Sequence, residues 1–107
     1  MANTFKNALA KDVGTTAVSV YTAPSGKKSI AIELDVCNTT ASGVTVDAYI
    51  TSGGVNYYIV KTTPVPVGGS LQIIAGQKIV LSDGDILKVI SNTAASIDVV
   101  SAILEDV

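Results

Sequence analysis

The sequence predicts an all-β protein: a single small sandwich or jelly-roll-like domain of about eight short antiparallel strands. Three observations carry that expectation. Val (15), Ile (11) and Thr (11) supply 37 of 107 residues, and side chains branched at Cβ are stiff and pack well on a pleated surface. Apolar and polar residues alternate with period two over several segments, as they do when successive side chains point to opposite faces. Turn-forming residues punctuate these segments at spacings near ten, the rhythm of sandwiches and small barrels. A chain of 107 residues has room for one domain.

Taken in order, residues 1–12 read as an N-terminal arm, with one or two helical turns conceivable over Phe5–Lys11, and residues 13–107 as the sandwich. Thr16–Thr22 is the first expected strand, with Val18 and Val20 in phase. Ala23-Pro24-Ser25-Gly26 then forms a tight turn. Ser29–Val36 alternates most clearly, with Ile30, Ile32, Leu34 and Val36 on one face and Ala31, Glu33 and Asp35 on the other. After the polar Asn38–Gly43 connection, Val44–Thr51 and Val55–Lys61 flank Gly53-Gly54. A two-residue primed turn there pairs positions that sum to 107, so that Tyr49 faces Tyr58, Ile50 faces Tyr57 and Ala48 faces Ile59. Thr62–Gly69, with two prolines and two glycines, reads as irregular or as an edge. Ser70–Ile74 and Gln77–Leu81 are two short strands around Ala75-Gly76. Ser82–Asp85 is a turn, and Ile86–Ser91 and Ile97–Leu104 complete the set.

Missing residues narrow the function classes. There is no His and no Arg. Imidazole bases, Ser-His or Cys-His nucleophiles and imidazole metal sites are therefore unavailable, as is the guanidinium fork for phosphate or guanine. Seven lysines at a net charge of −2 do not suit a phosphate backbone, so nucleic acid is not an expected partner. Cys37 is the lone cysteine and reads as a buried, inert thiol. Residues 1–12 lack the apolar core of a signal peptide, and Thr62–Gln77 is too short and broken for a membrane helix. The expectation is a soluble chain, made in a reducing compartment, with no membrane partner and no cofactor.

Candidate sites for chemistry give way to simpler accounts. Asp83, Asp85 and Asp98 could supply oxygens to Ca²⁺, but Asp83-Gly84-Asp85 is also an ordinary turn, and no metal site is expected. Glu33 and Asp35 share a strand face and could act as an acid–base pair, but with no pocket-forming insertion nearby a solvated face is the better account. Gly68-Gly69-Ser70 lacks the lysine and helix of a phosphate loop. No catalytic residue is expected. The last strands instead offer more apolar surface than one core can use: Asp98, Val100, Ala102 and Leu104 share one face of their strand, and only Lys88 interrupts Ile86 and Ile90. Small monomers seldom leave such patches open. The arm, the 62–69 loop or a neighbouring copy could cover them, and a mean hydropathy of +0.48 favours the copy. Interface candidates are Phe5, Tyr49, Tyr58, Val60, Ile86, Ile90, Val100 and Leu104; tyrosine offers a large apolar body with a polar tip.

Several stretches also resemble a known group: Val13-Gly14-Thr15-Thr16, Val20-Tyr21-Thr22-Ala23-Pro24, Tyr57–Lys61, Pro64-Val65-Pro66-Val67-Gly68-Gly69-Ser70-Leu71, Gly84–Val89 and Ser101–Glu105. Together, over residues 13–105, they resemble small virion structural proteins of tailed phages, including those of cyanobacteria. The resemblance implies an all-β, non-enzymatic protein acting as capsid cement (decoration) or as a small part of the tail or baseplate. The expectation is a cement protein on the capsid exterior, a homo-oligomer (a trimer) whose partners are its own copies and the major capsid protein. The alternative is a tail, baseplate or fibre module that contacts the host surface or a glycan.

Overall fold

The computed structural model describes residues 3–106, and over them the chain is all-β, with eight antiparallel strands and no helix. The strands are β1 (Asn3–Val13), β2 (Val18–Thr22), β3 (Ser29–Asn38), β4 (Val44–Ser52), β5 (Val55–Val65), β6 (Ser70–Leu81), β7 (Ile86–Ser91) and β8 (Ile97–Asp106). They form two four-stranded sheets, ordered β1-β8-β3-β6 and β2-β7-β4-β5. Successive strands cross repeatedly from one sheet to the other, which is the double Greek-key winding of a jelly roll. The expected fold class is the observed one.

The core lies between the sheets. Leu34 and Val36 from β3, Ile74 and Leu81 from β6, and Val99 and Ile103 from β8 meet Val46 and Ala48 from β4 and Leu87 and Val89 from β7. Polar links close both ends. At one, the Tyr21 hydroxyl of β2 reaches across to Glu105 of β8 and lies 2.8 Å from Ser29 Oγ of β3. Burial, and then the Glu105 carboxylate, push the Tyr21 phenol above its ordinary pKa. At the other end Asn38 is buried. Its Nδ2 donates to the carbonyls of Ser42 and Val65 at 2.8 and 3.0 Å, and its Oδ1 accepts from Thr40 N and Oγ1.

Four local readings change. The segment expected as an arm is, from Asn3 onward, strand β1 paired along its length with β8; Met1 and Ala2 lie outside the described residues. Its large apolar residues, Phe5 and Leu9, point away from the core while Ala8 is buried, an inverted alternation whose i, i+4 spacing imitates a helix. The two short strands expected around Ala75-Gly76 are one strand, β6, bent where Gly76 and Lys78 take φ of 92° and 61°. In β3 the register against both neighbours shifts between Ala31 and Glu33. This bulge puts Ser29 and Ala31 on the buried side with Leu34 and Val36, so Ile30 does not share their face. Ser101 Oγ donates to the Glu33 carbonyl at this irregularity, 2.7 Å away. Cys37, finally, is exposed, because it follows Glu33 and Asp35 on the outer side of the same strand.

The hairpin register is confirmed near its turn. Tyr49 pairs with Tyr58, Ile50 with Tyr57 and Ser52 with Val55, and both turn glycines have positive φ, 60° and 80°, as a type I′ turn requires. Farther out β5 carries extra residues, so Ala48 meets Val60 in place of Ile59. Pro64 lies in β5, an edge strand, where its missing N–H does no harm.

Candidate functional site

The surface that stands out is the outer face of the β1-β8-β3-β6 sheet. Register places Phe5, Leu104, Ile30 and Val80 side by side across all four strands. Two rows further along, Leu9, Val100, Asp35 and Gln72 lie abreast. Between them run Asn7, Ala102, Glu33 and Ala75. Phe5 is 75% exposed, Leu9 67%, Val80 59% and Val100 51%. These are four of the eight large apolar residues left open among the described residues, and one sheet face gathers them.

Two carboxylates interrupt this apolar field. Asp35 is half-buried, and its Oδ1 is shielded from solvent with no hydrogen-bond partner. Burial first, and the neighbouring Glu33 second, push its carboxyl up to about 6, since an ion without solvent beside a like charge is disfavoured. Along the seam between β1 and β8 runs a shallow depression of about 320 Å³ lined by Leu9, Ala10, Lys11, Asp98, Val99 and Val100. Its two charges are already paired: Lys11 Nζ is 3.2 Å from Asp98 Oδ2, and Asp12 N donates to Asp98 Oδ1 at 3.1 Å. The Asp12 N–H and the Lys11 ammonium hold the Asp98 carboxyl below its usual value.

The expected interface residues divide between opposite faces of the sandwich. Phe5, Val100 and Leu104 belong to the apolar face just described. Tyr49, Tyr58, Ile86 and Ile90 lie on the other sheet, where Lys88 and Asp47 separate them. Val60 packs against the core. Tyr49 is buried and Tyr58 is not; their rings lie 4.9 Å apart, tilted by 42°. The Lys61 ammonium sits 4.7 Å from the Tyr58 ring centre, so this pair braces its hairpin more than it offers an open platform. Leu9, Ile30 and Val80 complete the apolar face but were not among the expected interface residues. The register of four non-consecutive strands, which alignment along the chain does not reveal, is what brings them together.

Other expected clusters do not assemble. Asp83 Oδ1 accepts from Gly26 N and Asp85 Oδ2 from Ser82 N, at 2.8 and 3.0 Å, so both serve their turns. Asp98 lies at the opposite end of the sandwich, and among the described residues no group of three or more metal-ligating side chains converges. Among those residues no helix is long and apolar enough to cross a membrane.

No protein-family model matches the chain, and no curated protein matches it in sequence. Among solved structures it is similar to a protein of Bacillus endospore appendages, described as a novel family of disulfide-linked pili: TM-score 0.58 at 18% identity, over 96% of this chain and 86% of that one. A looser likeness, to the T13 particle of the virus IBDV, has a TM-score of 0.43 at 10% identity, and covers 96% of this chain but 31% of that one. At these identities the first likeness shows a shared fold and the second bears no weight. Both of those proteins belong to large assemblies, one a pilus and one a virus particle.

Proposed function

We propose that this protein is a structural component of a phage virion, a non-enzymatic capsid cement protein that sits on the head exterior as a homo-oligomer and ties neighbouring major capsid subunits together. The observation that carries the reading is the unbroken apolar row Phe5–Leu104–Ile30–Val80 on a sheet face that nothing in the described chain covers. Such a surface has a favourable free energy only when another surface meets it. The resemblance of several stretches to small virion proteins of tailed phages, and a fold shared with a protein of a pilus-like appendage, support the same reading. A contact of about 800 Å² per partner suffices for specific attachment, and an oligomer with several such contacts binds far more tightly than one subunit.

The test is to add the purified protein to expanded heads of its phage. Co-sedimentation and a disruption temperature raised by several degrees are expected; no binding and no shift would overturn the reading. The rival, a tail or baseplate module that contacts a host-surface glycan, draws on the open Tyr57 and Tyr58 at the β4–β5 hairpin. Glycan-array binding without affinity for heads would establish it in place of the cement role.

A further inference from the structure

Each sheet has two edge strands: β1 and β6 in one, β2 and β5 in the other. An open edge presents unpaired N–H and C=O groups, and soluble proteins blunt such edges with short length, bulges, proline or charge. Three of these four edges are blunted. β2 has 5 residues and a register shift between Ser19 and Tyr21. β5 carries Pro64, two register shifts and Thr62 at φ 51°. β6 shifts twice against β3 and bends at Gly76 and Lys78. β1 differs. From Asn3 to Ala10 it holds one unbroken register of eight pairs with β8 and contains no proline. Its register shift, between Ala10 and Val13, and Asp12 at φ 54° lie beyond that stretch, and Lys6 is the one charge within it.

We propose that this edge pairs with the β1 strand of a second copy, antiparallel, across a two-fold axis at Asn7. The inference rests on the homo-oligomer part of the reading above and names its contact. Antiparallel partners share a face only when their positions sum to an even number, which leaves few registers. A sum of 12 sets Lys6 against Lys6 of the second copy, which like charges oppose. A sum of 16 sets Phe5 against Lys11. A sum of 14 sets Phe5 against Leu9 of the second copy, twice over, with Lys6 against Ala8 and Asn7 against Asn7. Phe5 and Leu9 are the two most exposed large apolar residues of the described chain, and this register joins each to the other. It also fuses two outer faces into one eight-stranded apolar surface, since the row of Phe5 in one copy runs on into the row of Leu9 and Val100 in the other. A two-fold contact of this kind builds dimers, in place of the trimer expected from the sequence.

The test uses the exposed Asn7. Asn7→Lys and Asn7→Asp each place like charges face to face on the axis, and light scattering is expected to show each variant at half the mass of the wild-type pair. Mixing the two variants is expected to restore the pair; a variant mass equal to that of the wild type, or a mixture that stays monomeric, overturns the proposal. A milder probe is a spin label on Asn7→Cys in a Cys37→Ser background. Paired residues directly opposite lie about 5 Å apart at Cβ, so strong dipolar broadening is expected and its absence overturns the register. If the pairing holds while wild-type protein ignores phage heads, the cement reading falls alone; if heads are bound but Asn7 behaves as a bystander, the pairing falls alone.

Discussion

Asp35 is the residue with the clearest electrostatic signature. Its carboxyl is pushed up to about 6 by burial and by Glu33, against about 3.9 in an unfolded chain. Between those values the folded protein keeps a proton that the unfolded chain has released. Its contribution to stability is therefore complete below about pH 4, declines through pH 4 to 6, and stays low at neutral pH. Asp35→Asn removes that loss, and we expect it to stabilise the protein at pH 7.5 by on the order of 1 kcal/mol, discounted for partial exposure. The thermal midpoint should rise by a few degrees, with little change at pH 4; a midpoint unmoved at both pH values would refute the burial argument. Asp98 has the opposite sign, because its carboxyl is held low by Asp12 N–H and Lys11 and its contribution fades on acidification. Asn38 carries no charge, yet all four of its hydrogen bonds are internal. Asn38→Ala would take the side-chain donor from the Val65 carbonyl and the acceptor from Thr40 N–H, while the Ser42 carbonyl keeps the Thr40 hydroxyl. Urea titration is expected to show a loss of about 2–3 kcal/mol.

Among the elements, the β4–β5 hairpin was the most legible from sequence, and its turn is the part to test. Gly53 and Gly54 both hold positive φ. Asn adopts that region readily whereas a β-branched side chain does not, so Gly53→Asn should be close to neutral while Gly54→Val costs about 1–2 kcal/mol. Equal midpoints for the two variants would argue against the primed turn. β7 and β8 themselves keep strict alternation, with Leu87, Val89, Val99 and Ile103 buried, although their outer faces carry apolar residues as well. Period-two alternation failed where the backbone breaks that period. The bulge between Ala31 and Glu33 swaps the faces of β3 midway, and β5 gains residues that move Val60 opposite Ala48. Alternation could not reveal β1 at all, since a strand that buries alanine and exposes Phe5 and Leu9 inverts the usual cue. Bulges and inverted edges are tertiary facts: they depend on a partner strand far away in sequence, and in β1 that partner, β8, is at the other end of the chain.

At the scale of the whole molecule, the sandwich fills its interior with Val, Ile and Leu and still leaves one sheet face greasy across four strands. The other sheet is broken up by Lys88, Asp47 and Thr51, so the imbalance has a direction and the molecule has one sticky side. That asymmetry was half visible in the sequence, which placed Phe5, Val100 and Leu104 among contact residues but could not separate them from Tyr49 and Ile86 on the far side. It is also what links the shape of the protein to the role in a larger particle proposed above. The mass of the purified protein in solution at micromolar concentration, measured by light scattering, tests this most directly. A multiple of the 10.9 kDa chain mass is expected, and a stable single chain would contradict it.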